Sequence, residues 1–70
     1  MKDFKTLSAA LIETVNGFGI VRCEEKEVNS YGELVGHKKV WYDVCDDNGE
    51  GDILESYKTL KAARNAAKAM

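Results

Sequence analysis

The most regular alternation in this 70-residue chain falls between Lys38 and Cys45. Val40, Tyr42 and Val44 take one side and Lys39, Trp41, Asp43 and Cys45 the other, the period of two that marks a half-buried strand. Upstream, Phe18 to Val28 opens on β-branched and apolar residues and ends on Glu24-Glu25-Lys26-Glu27, which reads as a strand leaving the core for solvent. Asn29 to Gly36, with Ser30, Gly32 and Gly36, reads as a connecting loop. Downstream, Asp46 to Gly51 is a turn and Asp52 to Tyr57 a further strand. The period then changes: Leu60, Ala63, Ala67 and Met70 form the apolar stripe of a helix over Leu60 to Met70, with Thr59 as its cap.

The first segment admits two readings. Phe4, Leu7, Leu11 and Val15 stand at helical spacing, Ser8-Ala9-Ala10-Leu11 favours helix, Asp3 can cap the start, and Asn16-Gly17 suits a left-handed helix end. The competing reading makes Leu11 to Arg22 a hairpin turning at Asn16-Gly17, a strong hairpin signal. The spacing favours the helix over 4–16. The fold class expected is therefore α+β, a single domain over residues 1–70. Its order is α-β-β-β-α, with a three-stranded antiparallel sheet, both helices on one face and the other face open to water.

A chain this short buries only roughly 60% of its unfolded surface, which leaves little packing to spare for an enclosed active site. Its hydrophobic fraction of 44% and charged fraction of 31% are those of a globular protein. The net charge of −2 lacks the strongly basic balance of a phosphate-gripping domain. The charge is segregated, however. Asp43, Asp46, Asp47, Glu50, Asp52 and Glu55 fall together, followed by Lys58, Lys61, Arg64 and Lys68. The start Met1-Lys2-Asp3-Phe4 has no secretory leader pattern, and no apolar run approaches the ~20 residues that span a bilayer, so a cytoplasmic protein with reduced cysteines is expected.

Little in the chain points to catalysis. Cys23 or Cys45 could form a thiolate pair only with His37, the single histidine, and neither cysteine stands at a helix start or in a glycine elbow. Two cysteines and one histidine fall short of a structural zinc set. Asp46, Asn48, Glu50 and Gly51 fit the beginning of a calcium loop, but the position of the bidentate glutamate is Tyr57, and a plain turn uses the same residues. No enzyme, metal or cofactor is expected.

Trp41 has more to offer. If Val40, Tyr42 and Val44 face the helices, Trp41 lies on the open face with Lys39 and Asp43, where a tryptophan anchors partner proteins. If the phase is reversed, Trp41 is the core aromatic. The candidate protein-binding residues are Trp41, Lys39 and Asp43 together with Asp46, Asp47 and Glu50 of the acidic turn.

The element order resembles the double-stranded RNA-binding domain. Leu11-Ile12-Glu13 is similar to that family's first-helix motif, Gly36-His37-Lys38-Lys39 to its loop, and Thr59-Leu60-Lys61-Ala62-Ala63-Arg64 to its phosphate-facing helix. The resemblance implies duplex RNA binding through Glu13, His37, Lys38, Lys61 and Arg64 as the alternative function. The chain departs from the family where Leu60 replaces a lysine and where the acidic turn would meet phosphates with the wrong sign. In style, the acidic, proline-free chain also resembles small accessory proteins of phages and mobile elements, many of which bind and inhibit a host protein. The leading expectation is a non-catalytic protein-interaction module, with homodimerisation through an edge strand compatible with either function.

Overall fold

The computed structural model describes residues 3–70; Met1 and Lys2 lie outside them. Four strands, β1 (Asp3–Val15), β2 (Phe18–Val28), β3 (Leu34–Cys45) and β4 (Ile53–Tyr57), precede one helix, α1 (Leu60–Ala69). The strands form one antiparallel sheet in the order β1-β2-β3-β4.

The α-β-β-β-α expectation is overturned: residues 4–16 are strand, and the sheet has four strands and a single covering helix. Asn16 and Gly17 supply the two left-handed residues, at φ 53° and 84°, of a two-residue hairpin. This zips Ser8-Ala9-Ala10-Leu11 onto Glu24-Cys23-Arg22-Val21 despite their helix propensity. Strand pairing outweighs propensity here, as tertiary context commonly does. The pairing is irregular, because β1 carries an extra residue at Leu7 and another at Ile12, two β-bulges. The remaining strands and the last helix fall close to their expected places, except that β3 begins earlier, at Leu34.

The core is thin. Ile20 and Val44 pair across β2 and β3, and these two are the largest fully buried side chains; Ala63 and Ala67 of α1 lie against them. The small alanines let the helix backbone approach the sheet, and Val15, Phe18, Tyr42, Tyr57 and Leu60 pack around the contact. Burying Ile20 and Val44 stabilises the fold by about 1.5–3 kcal/mol each. The Thr59 hydroxyl caps the helix by accepting from the Ala62 N–H at 3.2 Å.

The opposite face is covered at the same end by the acidic turn, whose residues Asp47–Gly49 form one 3₁₀ turn. The Asp46 carbonyl accepts from the N–H groups of Gly49 and Gly51, and the Asp46 carboxylate from that of Asp47. The Asn48 N–H donates to the Gly17 carbonyl at 2.9 Å, which draws the turn down onto the sheet. It sits directly over Gly19, where a Cβ would lie 2.3 Å from the Cα of Gly49, so only glycine fits. Helix and turn therefore clamp one end of the sheet. The other end of β1, β2 and β3 projects from them and gives the molecule its dimensions of 43 × 20 × 19 Å.

Candidate functional site

The five residues of β4 are too few to line the twelve of β3. β4 pairs with Tyr42–Cys45 only, so among the described residues no strand lies along the outer edge of β3 from Leu34 to Trp41. Where β4 stops, Glu25, Lys39, Val40, Trp41 and Lys58 line an open groove of about 580 Å³. Register places Trp41 opposite Cys23, on the sheet face away from α1, while Tyr42 packs against the core on the helix side. Trp41 is half-buried, with part of its ring left to the groove.

The charges around it are only partly matched. Lys39 reaches across the sheet to place its ammonium 5.2 Å from the Phe4 ring centre, a cation–π contact. Lys38, on the helix-side face, stands 3.5 Å from the Glu24 carboxylate, which also pairs with Arg22. The hydrogen bond from Arg22 holds the Glu24 carboxyl below the ordinary carboxylate range.

Asp43 shares the face of Trp41 but is 6% exposed and so offers nothing to a partner. Its carboxylate accepts from the Ser56 hydroxyl at 2.5 Å and the Cys23 thiol at 3.4 Å, an internal polar cluster. Burial, then the Asp43 hydrogen bond and charge, pushes the Cys23 thiol up to about 11. Burial likewise raises the Cys45 thiol. Both cysteines are free and buried, and the shift suppresses the thiolate that a nucleophile needs. His37 is exposed on the projecting part of β3, four residues along the strand from Trp41, which is the residue opposite Cys23.

The other candidates scatter. Asp46, Asp47 and Glu50 are exposed on the turn, and among the described residues no three His, Cys, Asp or Glu side chains are grouped to hold a metal ion. Tyr57, at the calcium-loop position, packs on the core. Of the residues tied to RNA, Glu13 lies two residues before the end of β1 and is clasped by Arg64, whose Nε and Nη2 donate to its carboxylate oxygens at 2.7–2.9 Å. That contact lowers the Glu13 pKa. Lys61 is exposed on α1, whereas His37 and Lys38 lie roughly 20 Å along β3 from Val44, where the helix packs. The fold does not gather them on one surface.

Sequence reasoning missed Glu25, Val40 and Lys58. The one available signal was the mismatch between a short fourth strand and a long third one. No helix among the described residues is long and apolar enough to cross a membrane. No family model, no curated protein and no solved structure matches this chain.

Proposed function

We propose that the chain is a non-catalytic protein-binding module that receives an extended segment of a partner protein along the free edge of β3, anchored against Trp41. The observation that carries this reading is the half-buried tryptophan at the point where β4 ends and the edge of β3 opens. An unpaired edge presents main-chain N–H and C=O groups to an incoming strand, and the groove beside it supplies a pocket for an anchoring side chain. Lys39 and Lys58 flank the tryptophan, against Glu25 alone. The segment that fits best places an apolar or aromatic side chain on Trp41 and a carboxylate beside the lysines. Two free, buried thiols suit work in the reducing cytoplasm.

The test begins with affinity capture, followed by purification of the captured protein and titration against Trp41 fluorescence, which has a single source in this chain. Binding should shift the parent's emission, and isothermal titration, which needs no tryptophan, should show Trp41→Ala weakening affinity by about 30-fold or more, a hot-spot loss of at least ~2 kcal/mol. Charge reversal at Asp46, Asp47 and Glu50 should leave binding intact. Loss through the acidic variants with Trp41→Ala unaffected would overturn the groove as the site.

A further inference from the structure

The opposite edge of the sheet poses a separate problem. β1 runs thirteen residues along this edge, and no strand covers its outer side among the described residues. Four of its large apolar side chains, Phe4, Leu7, Leu11 and Ile12, are 39–53% exposed. The stretch Thr6-Leu7-Ser8-Ala9-Ala10-Leu11-Ile12 has neither charge nor proline. Soluble proteins usually guard an edge with lysines, proline or a covering element; here Lys5 and Glu13 stand outside the uncharged stretch, and within it only the two bulges serve that purpose. The core is also meagre, with two large side chains fully buried, and the cysteines form no disulfide. Domains of this size commonly make up such a deficit by association.

We infer that β1 is a self-association edge: two copies of this chain pair antiparallel through β1 about a two-fold axis and join their sheets into one of eight strands. The residues select the register. Setting Ala9 opposite Ala9 of the second copy puts Lys5 opposite the second copy's Glu13, and Glu13 opposite its Lys5. Lys5 pairs with Lys26 and Glu13 with Ile20 in β2, which places both on the helix-side face, so each opposed pair shares one surface. In the same register Leu7 meets Leu11, and the uncharged stretch fills the centre. The regular run Ser8–Leu11 between the bulges carries the middle of the ladder. A shift of two residues one way sets Asp3 against Glu13, like charges in direct opposition, and the other way sets Lys5 against Val15. Of the three registers that keep the uncharged stretch at the centre, only this one opposes unlike charges, and a two-fold makes each contact occur twice. Glu13 keeps its clasp with Arg64 and gains the incoming lysine beside it. The Trp41 groove lies on the far side of the sheet, so neither association needs the other.

The experiment is sedimentation velocity of the full chain over about 5–200 µM, the range in which a modest interface titrates. Twice the monomer mass of 7.8 kDa is expected at the upper concentrations. Ala9→Lys, on an exposed position, sets two lysines opposite each other at the axis and should weaken the dimer by at least about tenfold. Lys5→Glu should weaken it by about fivefold through like-charge opposition to Glu13. Unchanged far-ultraviolet dichroism and Trp41 emission establish that each variant monomer is folded. A wild-type chain that stays monomeric throughout the range overturns the inference, and so does a dimer that both variants leave untouched.

Discussion

Replacing Gly19 with alanine drives a methyl group into backbone. The added Cβ would stand 2.3 Å from Gly49 Cα, 2.5 Å from Gly49 N and 2.7 Å from Asn48 C. Carbon atoms in contact settle at about 3.5–4.0 Å, so the turn must retreat by more than ~1 Å. Three consequences fix the magnitude. Overpacking of this kind costs about 1–3 kcal/mol. Retreat stretches the Asn48 N–H to Gly17 carbonyl bond, worth about 0.5–1.5 kcal/mol. Against these, a strand alanine gains about 0.5–1 kcal/mol over glycine by restricting the unfolded chain. The net loss is about 2 kcal/mol, a large share of the ~4–10 kcal/mol that a chain of this size holds in reserve. Urea unfolding followed by Trp41 fluorescence reads it as a midpoint lower by about 2 M, for a slope near 1 kcal/mol/M. Gly17→Ala is the control: its φ is +84°, but nothing lies within 4 Å of the added Cβ, so only the left-handed backbone is penalised, by about 1 kcal/mol. A Gly19→Ala variant within ~0.5 kcal/mol of the parent, or one no worse than Gly17→Ala, would refute the close seating of the turn.

Two further predictions concern titratable groups. The Cys23 thiol, pushed up to about 11, should react with a thiol reagent at pH 8 on the order of a hundredfold more slowly in the folded chain than in urea; equal rates would contradict its burial. Because the folded value is the higher one, stability is full below the ordinary thiol pKa of about 8.5 and declines as pH rises toward about 11. Glu13 titrates in the opposite sense, its pKa lowered first by the Arg64 hydrogen bond, so its contribution is present above the ordinary carboxylate value of about 4.3 and is lost as pH falls below it. Glu13→Gln should therefore flatten the acid limb of the stability curve, and a limb as steep as the parent's would show that the Arg64 clasp contributes nothing.

The strands β2, β3 and β4 and the helix α1 were legible in the sequence, but the fold class was not, because it turned on the first segment. The alternation of Val40, Tyr42 and Val44 announced β3 but left open which of its faces is buried, and Thr59 with the alanine stripe announced α1. β1 was misread for a definite reason. Its two bulges, at Leu7 and Ile12, break the strand period twice, so Phe4, Leu7, Leu11 and Val15 fall at intervals that mimic a helical stripe. Its exposure along almost the whole length removed any burial pattern that could have corrected this. Asn16-Gly17 adopts the left-handed backbone that either reading required, and so could not decide between them. At the candidate site, alternation left Trp41 either on the open face or in the core, and the register of β3 puts it on the face away from the helix. Alternation could not foresee that the acidic turn folds over the Asp43 and Cys45 end of that face and leaves the Trp41 end bare. That partition depends on Gly19, whose contact with residue 49 spans thirty positions of sequence.

The one-ended clamp makes the sheet a cantilever. At its root, β2 and β3 are gripped from both sides, and movement there must disturb Ile20, Val44 and the helix together. Toward the tip neither helix nor turn backs the strands, and β1, β2 and β3 are held there by their ladders, the Lys38–Glu24 pair and the Lys39–Phe4 contact, so bending the arm costs less than disturbing the core. Anything that grips the tip therefore acts with leverage on a stiff base. The arm can also absorb substitutions, or adjust its curl to a ligand, while the root keeps the chain folded.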